Sequence, residues 1–179
     1  MPHLENACPD PVAWEQGDAL WDYHGGRPAL GALVLPGLKH GDLGWRAALL
    51  RRAREAALPP WLEACDGCVP VPTHPWRRWR RGFDLARDVA ELISHRMGLP
   101  VLDPLRKAWR APSQAERSES ARRRLPKKAF RLVDAAGVSG RRLLLVDDVW
   151  TTGTSLLRCA QALQAGGAEV RVFTLFRAT

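Results

Sequence analysis

The chain has 179 residues, 46% of them hydrophobic, enough for one domain with a real core and too apolar for disorder. It carries 27 Lys and Arg against 19 Asp and Glu, a net charge of +8 that points to an anionic partner. No apolar run can span a bilayer and no signal-peptide pattern opens the chain, so a cytoplasmic protein without membrane insertion is expected, its four cysteines reduced.

Residues 1–18 are proline-rich and aperiodic and read as a loosely ordered arm, which leaves 19–179 as the folded domain. A short strand is expected over 19–23, ended by Gly25-Gly26. Residues 28–38 read as a helix with Pro28 at its start, and Pro36 should break its last turn. Asp42 reads as the N-cap of a helix reaching residue 57, with Leu43, Ala47, Leu50 and Ala57 on one face and Pro59-Pro60 as its stop. Trp21 and Trp45 read as packing residues. A strand over 69–71, interrupted by prolines, leads into the block Trp76-Arg77-Arg78-Trp79-Arg80-Arg81. Ala86, Val89, Ala90, Ile93 and Met97 keep helical spacing, and Gly98 with Pro100 closes that helix. Residues 110–128 are highly charged and show no apolar period, which fits a mobile loop or an exposed helix. Residues 142–146 form a buried strand, Leu156, Ala160 and Leu163 stripe the next helix, and 170–175 are a last strand. This strand–helix–strand unit implies an α/β domain with a mostly parallel sheet and a right-handed crossover. Ligands of such sheets bind at the carboxyl ends of strands, where Asp147 and Asp148 fall.

The run Leu143-Leu144-Leu145-Val146-Asp147-Asp148-Val149-Trp150-Thr151-Thr152-Gly153-Thr154-Ser155 carries the chemistry. Paired carboxylates can accept hydrogen bonds from two neighbouring ribose hydroxyls. The hydroxyl-rich turn offers backbone N–H groups to a phosphate at a helix N-terminus, where the dipole favours an anion. Gly153 permits close approach and a positive φ. Trp150 either packs under this turn or forms a wall of the site. Upstream, Pro72-Thr73-His74-Pro75 leaves backbone amides free beside a basic run, which suits a pyrophosphate. For His74 a capping role is the alternative, and for Arg77 and Arg81 a solvated or ion-paired face.

The 13-residue run resembles the phosphoribosyl-pyrophosphate (PRPP) signature of type I phosphoribosyltransferases. Val69-Pro70-Val71-Pro72-Thr73-His74-Pro75, followed by Arg81-Gly82-Phe83, resembles the second signature of the ComF competence-protein family, a bacterial branch of the same fold. Gln114, Ser118, Arg122 and Ala129-Phe130 match that family's spacing before the PRPP run, as do Tyr23, Leu38-Lys39 and Gly41-Asp42 upstream. Departures are Asp84 and Leu85 for a usual Asn-Gln, and Arg117 and Leu125 for a usual Leu and Asn.

The resemblance implies a type I phosphoribosyltransferase-like fold, a central mostly parallel sheet flanked by helices, with a flexible loop over the site. Asp147 and Asp148 would hold the ribose as the catalytic pair, Thr151, Thr152, Gly153, Thr154 and Ser155 the 5′-phosphate, and Thr73, His74, Arg77 and Arg81 the pyrophosphate. Arg110, Gln114 and Arg122 would ride on the flexible loop. Magnesium would enter with PRPP, and no protein-built metal site is assigned. The family's association with natural transformation implies single-stranded DNA and other DNA-uptake proteins as partners, with Trp76, Arg77, Arg78, Trp79, Arg80, Lys127 and Lys128 as candidate nucleic-acid contacts. Transfer of the phosphoribosyl group to an unidentified acceptor and a purely binding role both stay open. Nucleobase salvage is a third reading, opposed by the second signature and by the lack of a segment resembling a nucleobase hood. Family members commonly begin with a zinc knuckle. Here Cys65-Asp66-Gly67-Cys68 could pair only with Cys8 and His3, so zinc is not expected. Cys159 reads as core.

Overall fold

A computed structural model of the protein describes residues 14–22, 30–108 and 129–178. In chain order the elements are β1 (Gln16–Asp22), α1 (Leu30–Lys39), α2 (Leu43–Glu55), a 3-10 turn (Pro60–Ala64), β2 (Gly67–Pro70), α3 (Pro75–Arg81), α4 (Leu85–Met97), β3 (Leu105–Lys107), β4 (Phe130–Leu132), β5 (Arg142–Trp150), α5 (Thr154–Ala165) and β6 (Glu169–Arg177). The four long-range strands form one sheet in the order β1-β6-β5-β2, and every pairing in it is parallel. β3 and β4 make a separate antiparallel pair with Lys107 opposite Phe130.

The sheet is covered on both faces, which is why β5 reads as an unbroken apolar run. Its side chains alternate between two cores. Leu144 and Val146 join Val34, Leu49, Val89 and Ile93 from α1, α2 and α4. Leu143 and Leu145 join Leu156, Cys159, Ala160 and Leu163 of α5. Cys65 and Cys68 are buried as well. Burial pushes the Cys68 thiol up to about 12 and raises Cys65.

Several sequence expectations are corrected. β1 opens at Gln16 and takes in residues 16–18, assigned above to the arm. Pro36 lies inside α1 without ending it. Its lost hydrogen bond and clash cost about 3 kcal/mol, but Val34, Leu35 and Leu38 are buried around it at about 1.5–3 kcal/mol each, and burial wins. Asp42 does cap α2, its Oδ1 accepting from the Trp45 N–H at 3.0 Å. The helix is nevertheless turned from the expected face: Leu49 and Ala53 are buried while Leu43 is 62% exposed. The inward stripe begins with Arg46, whose guanidinium makes two 2.6 Å hydrogen bonds to Asp88 on α4 and lies 5.6 Å from the centre of the Phe83 ring. A charged residue on the core side hid the stripe from an apolar count. Trp45 packs its ring onto Gly37, where an added Cβ would lie 2.6 Å from the indole, and Trp21 packs on Phe176 with ring centres 5.5 Å apart. Residues 76–81, read only as a basic block, are a helix. The β3–β4 pair was not foreseen.

Candidate functional site

β5 runs two residues beyond the acidic pair, so Asp147 and Asp148 are strand residues, with Asp147 in register with Thr174 of β6. Each carboxylate accepts the next residue's N–H at 2.9 Å, Asp147 from Asp148 and Asp148 from Val149. Burial, and then the adjacent Asp148 carboxylate, pushes Asp147 well above the ordinary carboxylate range.

After Trp150 the chain turns through residues 151–153, and Gly153, at φ 71°, is the N-cap of α5. Thr151 and Thr152 flank the turn, and Thr154 and Ser155 open the helix, where the first N–H groups have no intrahelical partner. The Thr152 and Thr154 hydroxyls lie 3.0 Å apart. Trp150 packs beneath this turn: it is buried, edge-on to Trp14 at 5.5 Å between ring centres, and a Cβ on Gly153 would meet its Nε1 at 3.1 Å.

The second wall is built by α3. His74 caps it by accepting the Trp76 N–H on Nδ1 at 3.3 Å, Pro75 fills the first position and Gly82 closes it at φ 77°. The capping role of His74 is therefore real, and the same residue also lines the cleft. Helical spacing sorts the basic block into three faces. Arg77 and Arg81, four apart, line the cleft. Arg78 lines a separate cavity of about 290 Å³ behind the proline loop, with Arg87 and Arg106. Trp76 and Trp79 point outward, 54% and 79% exposed, with Arg80 stacked over Trp76 at 5.2 Å. The Thr73 hydroxyl donates to Asp84 Oδ1 at 3.0 Å and ties the proline loop to the start of α4. Burial raises the Asp84 carboxyl above its usual range.

Between these walls lies a cavity of about 370 Å³ that joins Thr73, His74, Arg77 and Arg81 to Asp147, Asp148, Thr151 and Ser155, with Leu38 and Phe83 as an apolar end. A lobe of about 350 Å³ extends along residues 151–156. Arg77, Lys107, Asp147, Val149, Thr151 and Ser155 line both, so the two are parts of one cleft. The cleft thus pairs carboxylate acceptors with two sets of anion donors, the complement of a sugar bearing phosphates at both ends. Lys107 was missed: it lies just ahead of the charged 110–128 stretch, and nothing in its local sequence sets it apart. The Ala129-Phe130 landmark was the available signal, because Phe130 is its pairing partner on β4.

Arg110, Gln114, Arg122, Lys127 and Lys128, together with Cys8 and His3, lie outside the described residues. Among the described residues no group of three or more His, Cys, Asp and Glu side chains gathers to hold a metal, and no helix is long and apolar enough to cross a membrane.

A parallel sheet whose central strand delivers an acidic pair into a threonine-rich turn at a helix N-terminus defines a type I phosphoribosyltransferase-like domain. Comparison with known proteins agrees. Residues 80–179 match the family described as Phosphoribosyl transferase domain. Competence protein F of Haemophilus influenzae is 33% identical over 128 residues, 70% of this chain and 56% of that protein. DNA utilization protein YhgH of Salmonella typhimurium is 31% identical over 173 residues, 93% of this chain and 74% of that protein. Competence protein ComFC of Streptococcus pneumoniae is 33% identical over 111 residues, 61% and 47% of the two chains. The chain belongs to the phosphoribosyltransferase-domain family, in its ComF-type branch. It spans little more than half the length of the Haemophilus relative.

Proposed function

We propose that the cleft binds PRPP and that the protein serves competence or DNA utilization, the roles for which its relatives are named. The observation that carries this reading is the single cleft in which Asp147 and Asp148 lie between the 151–155 turn and Arg77 with Arg81. Asp147 and Asp148 accept the ribose hydroxyls, the turn donates to the 5′-phosphate, and Thr73, His74, Arg77 and Arg81 face the pyrophosphate. Magnesium would enter with the ligand: Asp147 and Asp148, the carboxylates that line the cleft, would hold it there, and it would supply positive charge against the departing pyrophosphate.

Transfer breaks the bond between the anomeric carbon and pyrophosphate through an oxocarbenium-like state, and an acceptor nucleophile forms the new bond. The chain contributes orientation and fixed charge: the turn and the acidic pair anchor the sugar, and the arginines hold the departing anion. Asp147 and Asp148 work in this scheme as hydrogen-bond acceptors for the ribose hydroxyls. Pyrophosphate release from PRPP, measured with and without single-stranded DNA and nucleobases, separates turnover from binding alone.

The exposed Trp76 and Trp79 favour an added role in handling single-stranded DNA. Outward indoles beside Arg80 offer stacking for unpaired bases and a cation for the backbone, on a chain of net charge +8. Fluorescence anisotropy with labelled single strands and duplexes at several salt concentrations tests this. Equal affinity for the two, or no binding near physiological salt, removes it. The setting in this reading is the cytoplasm, with other DNA-uptake proteins as neighbours.

A further inference from the structure

Lys107 ends β3 and enters the cleft from the small hairpin, an element separate from both walls described above. It is half-buried, and its Nζ lies 5.3 Å from the centre of the Phe130 ring, whose face favours a cation. Arg77 approaches from α3, and among the described residues these two cations alone line both lobes of the cleft. They are close enough for Arg77 to act on Lys107: burial first, and then the Arg77 charge, pushes the ammonium below the ordinary lysine range. Cys159 and Asp147 offset this only in part. Two cations from different elements, half-buried Lys107 and the more exposed Arg77, line the part of the cleft that the two lobes share, an arrangement that an anion between them would relieve.

We propose that Lys107 and Arg77 clamp one phosphoryl group at the waist of the cleft, the one of the pyrophosphate nearest the sugar. Lys107 then touches the ligand directly, and the β3–β4 hairpin is part of the binding machinery. The inference rests on the reading of the cleft as a PRPP site. It adds a residue to that site and assigns the group it holds.

Calorimetric titrations of pyrophosphate and of ribose 5-phosphate into the wild type, K107M, K107R, R77M and the K107M/R77M double variant test it. Methionine keeps the stem over Phe130 and removes the charge that burial and Arg77 disfavour, so thermal melting should not fall. Loss of a charged hydrogen bond should weaken pyrophosphate binding at least about tenfold in K107M. K107R should recover most of that loss. Ribose 5-phosphate, which lacks the group, should bind K107M within about threefold of the wild type, well under the loss of one charged bond. The double variant should lose less than the product of the single losses, since both cations hold the same group. Wild-type pyrophosphate affinity in K107M, an equal loss for both ligands, or independent single effects would overturn the clamp while leaving the PRPP reading standing. A wild type that binds neither ligand would overturn both.

Discussion

Replacing Gly153 with Val tests the phosphate turn at its most constrained point. Gly153 has φ 71°, in the left-handed region that a branched side chain avoids, at about 1–3 kcal/mol of backbone strain. Space is short as well. A Cβ there would lie 3.1 Å from Trp150 Nε1 and 3.7 Å from its Cδ1, and Trp150, only 6% exposed and braced by Trp14, has nowhere to retreat. The turn must therefore change shape, and the N–H groups of residues 154 and 155 lose their common aim. If the whole strain is relieved by leaving the binding conformation, 1–3 kcal/mol translates to about 5- to 150-fold weaker ribose 5-phosphate binding, at 1.4 kcal/mol per tenfold. Global stability should fall less, because the strain is local: about 2–4 °C in melting temperature for each kcal/mol retained in the folded state. Calorimetry gives the affinity, and the Trp14–Trp150 pair beneath the turn gives a fluorescence signal of ligand arrival. Binding within twofold of the wild type by a folded Gly153→Val variant would refute the idea that this turn holds the phosphate.

The raised Asp147 carboxyl predicts opposite effects on stability and binding. Its folded pKa lies above the unfolded value, so its stabilising contribution is full in acid and is lost as pH rises through the raised value. Asp147→Asn should therefore melt higher than the wild type near neutral pH, with the difference shrinking on acidification. A variant that melts lower at neutral pH would show that the carboxylate stabilises the fold. Sugar-phosphate affinity in the wild type should begin to fall on acidification at a higher pH than an ordinary Asp would impose, which a pH series of titrations checks. Trp76→Ala with Trp79→Ala should cut the preference for single-stranded over duplex DNA, at about 1–3 kcal/mol per lost stack, and leave the salt dependence unchanged. Neutralising Arg77, Arg78, Arg80 and Arg81 should instead flatten the fall of affinity with salt; anisotropy distinguishes the two.

The sequence made the ligand turn legible because its physics is local. An apolar strand, two carboxylates, a glycine and a helix start lie in one continuous run, and no distant contact decides their order. The Asp42 cap and the α4 stripe were legible for the same reason. What failed depended on partners far along the chain. The inward side of α2 is set by Arg46 reaching Asp88, and a tally of apolar residues could only turn the helix the wrong way. Pro36 stays helical because three neighbours are buried, a tertiary gain that the local rule omits. α3 has no buried residue and so no apolar period, and its cap, its proline and Gly82 define it instead. The β3–β4 pair joins two three-residue strands far apart in the chain, too short for alternation to show. That pairing is also what carries Lys107 into the cleft, so the same gap hid a candidate site residue.

The most direct test of the PRPP site is calorimetric titration of PRPP with magnesium into the wild type and into the Asp147→Asn, Asp148→Asn double variant. Each charged hydrogen bond contributes about 1.5–3 kcal/mol, so the account predicts saturable one-site binding in the wild type and at least tenfold weaker binding in the variant, with the fold intact. Absence of wild-type binding, or equal affinity in the two proteins, would contradict it.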